Sequence, residues 1–279
     1  MKFFSQVVFP PLESPFCLQD RIVLLGSCFA DSIGEKMAAA GFDVMVNPFG
    51  TLYNPASIEQ AVQRLDSGKP FGPEDCVQMG AGAGRICSFW HHTSFARATA
   101  EEFLSNANAK LQQASEFWKS ANRLVLTLGT SFVWRHDGRI VANCLKRPAG
   151  EFTREMLTVE QSSECLRSIA SAHPEKKILL TVSPIRHLGD GAHANALSKA
   201  RLLLAADTIA AEYFPAYEIM MDELRDYRFY ADDLVHPSPA AVSYIWERFL
   251  ATAVLPSDLD QISRNEKAAR QMTHRPNLV

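Results

Sequence analysis

The sequence has no long apolar run, no strong excess of charge of either sign and no pattern of cysteine pairs. Its 28 Lys and Arg residues against 31 Asp and Glu leave a formal net charge of −3. A nucleic-acid-binding protein would favour a basic face, so the charge gives no support for a nucleic-acid partner. The brief apolar N-terminus is interrupted at Gln6 and at Pro10-Pro11, and no later run approaches the length of a membrane span. We therefore expect a cytoplasmic protein with neither a nucleic-acid nor a membrane partner.

The chain also lacks the motifs that hold metals and phosphates. Its six cysteines are scattered without a Cys-x-x-Cys pair, and a chain of 279 residues does not need disulfides for stability. The adjacent His91 and His92 are a poor metal pair because their side chains diverge. The Gly-rich run at 80–84 is not followed by the Gly-Lys-Ser/Thr of a phosphate loop. The sequence thus predicts reduced thiols, no metal and no cofactor.

What the chain does contain is enough apolar material for one large core, 47% of all residues. Short apolar runs alternate with helical patterns, which is typical of a parallel sheet covered by helices. The predicted strands are Ile22–Leu25, Asp43–Val46, Arg123–Leu128, Lys177–Val182 and Tyr217–Met221. The predicted helices between and after them are Phe29–Ala40, Thr158–Ala172, Asn195–Glu212 and Pro239–Ala253. We expect a single α/β domain over residues 1–279.

Two segments are longer than a simple strand–helix repeat requires. Residues 55–122 are predicted to form a helical and loop insertion, and residues 131–150 a hairpin that turns at Asp137-Gly138. Insertions at strand ends commonly build the walls of a substrate site. The polar segment 256–279 is predicted to be a weakly docked helix or a loose tail.

Ser27 is the first candidate for chemistry, since it stands where the first predicted strand gives way to a helix. Ligands of open α/β sheets bind beyond the carboxyl ends of the strands, and the unpaired amides of a first helical turn can stabilise an oxyanion there. Ser27 is therefore a candidate nucleophile. A plain helix N-cap is the alternative, which this segment taken alone favours. Cys28 is a rival nucleophile, and we expect it to pack inward.

Asp233 and His236 form the second candidate, after the fifth predicted strand. A serine hydroxyl is a poor nucleophile at neutral pH until a neighbouring base takes its proton, and imidazole suits that role. A carboxylate three residues earlier can bind the far ring nitrogen and fix the tautomer, and Asp232 could substitute for Asp233. A solvated turn is the alternative for this string alone. The order of the two elements along the chain favours a triad of Ser27, His236 and Asp233.

The string Gly26-Ser27-Cys28-Phe29-Ala30 resembles the signature of the GSCFA family, which belongs with the SGNH/GDSL hydrolases. The resemblance covers about residues 10–255, and the strings at 47–54, 90–92, 128–130, 142–144, 183–187 and 233–238 are similar to that family too. It implies a three-layer α/β/α, flavodoxin-like fold with a five-stranded parallel sheet plus insertions. It also implies acyl-ester chemistry, with Ser27 as nucleophile and Asp233 and His236 as its supporting pair.

The same resemblance implies an oxyanion hole built from the Ser27 amide and Gly50, with Asn47 or Asn54 as possible side-chain donors. The usual Gly-x-Asn-Asp string is absent, and the third predicted strand ends instead in Gly129-Thr130-Ser131, so Gly129 is a further candidate.

Six residues near the predicted strand ends and in the insertion are candidates for substrate binding: Trp90, His91, His92, Thr130, Arg186 and His187. Arg186 would suit an anionic or polyhydroxylated substrate, with a structural hydrogen-bonding role as the alternative. For His91 and His92 the alternative is a plain surface loop.

The function expected from these features is that of a serine esterase acting on an acyl ester. An O-acetyl group on a carbohydrate is the candidate substrate, by analogy with the class. An O-acyltransferase that uses the same triad is one alternative, since the acyl-enzyme step is shared. A ligand-binding protein of the same fold without turnover is another, suggested by the missing Gly-x-Asn-Asp string.

Overall fold

The structure, a computed structural model, describes residues 5–80, 82 and 84–273. Ala81 and Ala83 of the Gly-rich run, and the ends of the apolar N-terminus and the polar tail, lie outside the described residues. The strands are β1 (Arg21–Gly26), β2 (Asp43–Val46), β3 (Val77–Gln78), β4 (Ile86–Cys87), β5 (Arg123–Leu128), β6 (Phe132–His136), β7 (Arg139–Val141), β8 (Phe152–Met156), β9 (Lys177–Val182) and β10 (Glu212–Tyr213). The helices are α1 (Cys28–Ala40), α2 (Pro55–Ser67), α3 (Ala100–Ser120), α4 (Val159–Ala172), α5 (Ala192–Asp207), α6 (Ala216–Glu218), α7 (Pro239–Ala253) and α8 (Leu259–Thr273).

A five-stranded parallel sheet in the order β10-β9-β5-β1-β2 forms the centre of the molecule. Successive side chains of a strand point to opposite faces, so each inner strand contributes to two core layers. Val23 and Leu25 pack with α2, α3, α4 and α5, whereas Ile22 and Leu24 pack with α1, α7 and α8. The predicted three-layer α/β/α fold with a five-stranded parallel sheet is therefore confirmed.

The fifth strand was predicted in the wrong place. Tyr217–Met221 is helical, because α6 continues directly into a wider helical turn over Ile219–Glu223. The fifth strand is β10, which was expected to be the end of a helix running to Glu212; that helix, α5, ends at Asp207 instead. A short apolar run fits a buried helical turn as well as a buried strand, so periodicity alone does not separate the two.

The insertions and the tail are more ordered than expected. The hairpin turns at Asp137-Gly138 as predicted, with both residues at positive φ, and β8 adds a third antiparallel strand to it. α8 is well docked, since Ile262 is buried and Trp246 Nε1 donates a hydrogen bond of 2.7 Å to Glu266. The division of the chain into domains stays a prediction.

The amino end of the sheet is closed by a buried ion pair. Arg123, the first residue of β5, binds Asp20 at 2.9 Å, and both side chains are buried. The remaining guanidinium donors of Arg123 reach the carbonyl oxygens of Ser14 (2.7 Å) and Pro15 (2.6 Å). A buried charge is tolerated when its partners are this complete. The opposite, carboxyl edge of the sheet is where the candidate site lies.

Candidate active site

The turn from β1 into α1 places two adjacent side chains on opposite sides of the backbone. Gly26 has φ +149°, and a Cβ at this position would lie 2.2 Å from the carbonyl oxygen of Thr127. Ser27 follows in extended conformation and caps α1, its Oγ accepting a hydrogen bond of 3.3 Å from the Phe29 amide. The Ser27 hydroxyl donates to Ser183 Oγ at 2.9 Å, and the residue is fully buried. The N-cap interpretation of Ser27 is confirmed.

Cys28 is the first residue of α1, and its side chain turns the other way. Its sulfur lies 3.3 Å from Nε2 of His236, and the residue is half-buried. The expectation that Cys28 packs inward is met only in part, because the side chain packs against the core beside α1 while its sulfur faces His236. Burial raises the pKa of the Cys28 thiol, as do the charges of Asp31 and Asp233, whereas its own backbone N–H and Lys199 lower that pKa.

The loop between residues 231 and 238 presents His236 to this sulfur. Asp233 Oδ2 lies 2.6 Å from His236 Nδ1, and Asp233 Oδ1 accepts hydrogen bonds of 2.9 Å from the amides of Val235 and His236. These backbone hydrogen bonds, followed by the one from the imidazole, lower the pKa of Asp233 to about 2. The carboxylate therefore keeps a proton on Nδ1 and leaves Nε2 free to accept one. The contact expected between Asp233 and His236 is confirmed.

The structure thus aligns Cys28, His236 and Asp233, and it does not pair Ser27 with His236. The hydroxyl proton of Ser27 is directed to Ser183, and the thiol of Cys28 occupies the position that was expected for the serine. The side chain that faces His236 therefore comes from the residue after the predicted one. Ser27, the N-cap, is still extended, whereas Cys28 has already entered the helix.

Three of the predicted oxyanion donors are already engaged. The amide of Gly50 donates to Asn47 O at 2.7 Å, and the amide of Gly129 donates to Tyr53 O at 2.8 Å. Asn47 Oδ1 accepts from the Gly26 amide at 2.9 Å, and its Nδ2 donates to Asp31 Oδ1 at 2.7 Å. These hydrogen bonds tie the strand-end loops to one another, so the structure does not favour any of the three as a donor to substrate.

Two donors remain at this edge of the sheet. The Cys28 amide is in the first turn of α1, where no intrahelical acceptor exists, and it interacts with the sulfur of the same residue. Asn54 caps α2 by accepting from the Ser57 amide at 2.8 Å, and among the described residues its Nδ2 has no hydrogen-bond acceptor. The predicted Ser27 amide is not a third, since it donates to Thr127 O at 3.1 Å.

His91, Thr130 and Trp90 lie away from the aligned groups. His91 is buried among phenylalanines, with Phe71 and Phe95 at ring distances of 4.6 and 4.5 Å, and burial lowers its pKa to about 3. Thr130 is buried too, with Oγ1 2.9 Å from Ser198 Oγ. Trp90 lines a cavity of about 560 Å³ whose walls include none of Cys28, Asp233 and His236. The expectation that these three line the substrate site is therefore corrected, since His91 and Thr130 are buried and the apolar side chains of the insertion join the core layer that contains Val23 and Leu25.

The other three predicted binding residues do approach the site. His92 packs against Gly50 and is half-buried. Burial lowers its pKa, and the charge of Asp31 acts in the opposite direction. Arg186 Nη1 donates to Leu234 O at 3.1 Å, in the loop that carries His236. Burial lowers the pKa of His187 to about 4, helped by the charges of Lys199, Arg154 and His236.

Lys199 and Tyr53 belong to the site as well, and sequence reasoning missed both. Lys199 is fully buried beneath the carboxyl edge, where Nζ donates to Gly129 O at 2.6 Å and to Ser183 O at 2.7 Å. Burial lowers the pKa of Lys199 to about 7, and its charge acts on Cys28. The Tyr53 hydroxyl accepts a hydrogen bond of 3.2 Å from Thr51, and its pKa is raised by burial first and then by the charges of Cys28 and Asp31. The sequence signal that could have found Lys199 is its position on the apolar side of the predicted helix Asn195–Glu212.

Two features are absent from the described part of the chain. Within residues 5–80, 82 and 84–273, no three His, Cys, Asp or Glu side chains converge as metal ligands would. No helix in this part of the chain has the length and apolarity that crossing a bilayer requires.

Comparison with known proteins identifies a sequence family and similarity to solved structures. The sequence model of the GSCFA family matches residues 21–249. A solved structure described as "a putative platelet activating factor from Streptococcus pneumonia" is similar over 83% of this chain and 84% of its own, at 12% identity and a TM-score of 0.39. No curated protein matches the sequence.

Proposed function

We propose that this chain, which belongs to the GSCFA family, hydrolyses acyl esters with Cys28 as nucleophile, His236 as base and Asp233 as the group that orients the imidazole. The observation that carries the proposal is the distance of 3.3 Å between Cys28 Sγ and His236 Nε2, with Asp233 holding the other ring nitrogen at 2.6 Å. A nucleophile in contact with a base that a third group orients is the arrangement that acyl transfer requires.

The reaction begins with a neutral thiol, because burial raises the pKa of Cys28. His236 Nε2 takes the thiol proton while the sulfur forms a bond to the ester carbonyl carbon, and the carbonyl electron pair moves onto oxygen. The Cys28 amide and the positive end of α1 stabilise this oxyanion. When the carbonyl re-forms, the C–O bond to the alcohol breaks and the alcohol takes the proton from His236. A thioester on Cys28 remains.

Water completes the cycle. His236 removes a proton from a water molecule, whose oxygen attacks the thioester carbonyl. The carbon–sulfur bond then breaks, the sulfur regains its proton from His236, and the acid is released. Asp233 stays ionised throughout, since its pKa is about 2, and it balances the positive charge that His236 carries in each half of the cycle.

The family resemblance fits this assignment better than the first one. A Gly-Asp-Ser block carries its nucleophile two residues after the glycine, and Cys28 stands two residues after Gly26. Ser27 then takes the place of the aspartate. The assignment of Ser27 as nucleophile matched the serine of that block by residue type, whereas Cys28 matches it by distance from the glycine.

Ser27 remains a second candidate nucleophile, because it lies in the same turn. Its hydroxyl would have to leave Ser183 and turn out of the core to reach His236. A transferase that passes the acyl group to a sugar hydroxyl would share the thioester step. An O-acetyl carbohydrate is the substrate that we propose by class analogy.

The test combines turnover of 4-nitrophenyl acetate with trapping of the acyl-enzyme by acid quench and mass spectrometry. Cys28→Ala and His236→Ala are expected to lower kcat/KM by about 100-fold or more, and the acetyl group should map to Cys28. Cys165→Ala removes another half-buried thiol and is the matched control, with turnover unchanged. Cys28→Ser separates loss of the thiol from loss of side-chain volume.

Two results would overturn the proposal. An acetyl or fluorophosphonate adduct on Ser27, with full activity in Cys28→Ala, would restore the serine mechanism. Absence of any adduct and any turnover, in folded protein and with esters of several acyl lengths, would favour the ligand-binding alternative.

A further inference from the structure

A cavity of about 290 Å³ opens beside the loop that carries His236, and the mechanism above does not use it. Its wall begins directly after β9, where the Arg186 amide donates to Val235 O at 3.1 Å. The Arg186 side chain reaches the neighbouring carbonyl of Leu234. Arg186 therefore connects the cavity wall to the segment that joins Asp233 to His236.

Two guanidinium groups, those of Arg186 and Arg225, line this cavity, and no carboxylate does. Arg186 donates one N–H, that of Nη1, to Leu234 O. In the described part of the chain its Nε and Nη2 have no acceptor. Arg225 has no ion pair or hydrogen bond from its side chain among those residues. The nearby Arg228 is different, since it pairs with Asp226 at 3.1 Å. Guanidinium forks without acceptors suit the planar oxygens of a carboxylate or phosphate.

Apart from Asn195, the rest of the wall is apolar and aromatic. Tyr217, Tyr227 and Tyr230 contribute rings and hydroxyls, with Met220 among the apolar side chains between them. The Arg186 guanidinium carbon lies 5.4 Å from the centre of the Tyr230 ring, so the cation is held against an aromatic face. Such walls bind the apolar body of a ligand, while a few polar groups fix its charged end.

We infer that this cavity binds a carboxylate or phosphate group attached to an apolar or aromatic body, and that this is the anionic end of the substrate. The identification with substrate rests on the proposed hydrolase function; the binding of the anion does not. The cavity then selects esters that carry a negative charge, and their reactive carbonyl is directed towards His236.

Binding is tested first, without turnover, by calorimetric titration with phenyl phosphate and with benzoate. Arg225→Gln is expected to weaken the binding of both by about tenfold or more, because charge-assisted hydrogen bonds are lost. Arg228→Gln, an equal change of charge outside the cavity wall, should alter the dissociation constants by less than about twofold. Benzyl alcohol, which lacks the charge, should bind the wild type and Arg225→Gln equally weakly.

Turnover is tested second, with neutral 4-nitrophenyl acetate against the anionic mono-4-nitrophenyl succinate and 4-acetoxybenzoate. These two anionic esters carry the charge on the acyl and on the leaving side, so they also tell which end the cavity holds. Arg225→Gln should lower kcat/KM about tenfold for one of them and leave the neutral ester unchanged.

The two proposals fail in different ways. Anion binding that depends on Arg225, in a protein without esterase activity, would contradict the hydrolase and keep the anion site. Ester hydrolysis with equal anion binding by wild type and Arg225→Gln would keep the hydrolase and overturn the anion site. Equal binding of benzyl alcohol and phenyl phosphate by the wild type would overturn it too.

Discussion

At the scale of single residues, histidines in this chain have opposite environments. His236 is half-exposed and hydrogen-bonded to a carboxylate, whereas His91 is buried with Nδ1 2.6 Å from Ser88 Oγ and with Nε2 lacking a partner among the described residues. A buried imidazole with no carboxylate beside it cannot easily take a proton. In the proposed mechanism the first contributes to chemistry, whereas the second makes the stability of the fold depend on pH.

His91 should make the protein less stable in mild acid. Its folded pKa of about 3 lies below the ordinary value near 6.5, so between these limits the unfolded chain binds a proton that the folded one does not. Stability is then lost as the pH falls from 6.5 towards 3. His91→Phe should remove about 2 kcal/mol of the loss between pH 7.5 and pH 5, measured by urea unfolding at each pH.

The control for His91 is His193→Gln, which changes an exposed histidine. Its unfolding free energy should follow the same pH dependence as the wild type. An unaltered pH dependence in His91→Phe would contradict the assignment of this acid sensitivity to His91.

The contact between Asp233 and His236 was predicted from the sequence, whereas the contact between Cys28 and His236 was not. Asp233 and His236 were recognisable because they follow the last predicted strand while Ser27 follows the first, an order along the chain that favours a triad. Ser27 and Cys28 could not be separated, since the decision depends on which of them is the last extended residue before α1. The role of Lys199 was not predicted, because the carbonyl groups of Gly129 and Ser183 that bind it are brought together only by the sheet.

At the scale of elements, β-strands with neighbours on both sides were the easiest to predict. β1, β5 and β9 are continuous apolar runs, which few other environments tolerate. β10 has two residues and lies at the sheet edge, so neither its length nor its pattern distinguishes it from a loop. The docking of α8 was underestimated because the helix buries only a narrow stripe of side chains and is polar on its other faces.

Docking of α8 should contribute measurably to stability. Ile262 is 1% exposed, and Asn265 Nδ2 donates to Ala40 O at 2.8 Å, which fastens the helix to the end of α1. Ile262→Ala should lower the free energy of unfolding by about 2–5 kcal/mol, as removal of a buried aliphatic side chain does, measured in urea.

The matched variant is Lys267→Ala on the exposed side of the same helix, for which a change below about 0.5 kcal/mol is expected. Equal effects of the two substitutions would mean that α8 does not pack through Ile262 in solution.

At the scale of the whole molecule, the sheet is shared by two separate core layers. Leu24 and Leu25 are neighbours in β1 and fully buried, but they belong to opposite layers. A tryptophan reports on each layer, Trp118 from α3 and Trp246 from α7. The architecture was predictable because it depends on the repeated alternation of strands and helices, to which each segment contributes only a small part.

The two layers should unfold together. Leu24→Ala and Leu25→Ala should each cost about 2–5 kcal/mol, and in each variant both tryptophans should lose their native signal at the same urea concentration. Protein labelled with 5-fluorotryptophan gives a separate ¹⁹F resonance for each ring, so both layers are observed in one titration. Loss of the Trp118 signal before the Trp246 signal in Leu25→Ala would contradict a shared core.

The closed amino edge of the sheet has a consequence for how this chain can change over generations. Arg123 is bound on all sides by Asp20, Ser14 and Pro15. A neutral residue in its place leaves the buried carboxylate of Asp20 without its ion-pair partner. At the carboxyl edge, the cavity wall consists of loops, helical turns and side chains such as Arg225, which has no side-chain partner within the described chain. Diversity can therefore accumulate on one rim while the other stays fixed, and a combinatorial library aimed at new substrates belongs on the first.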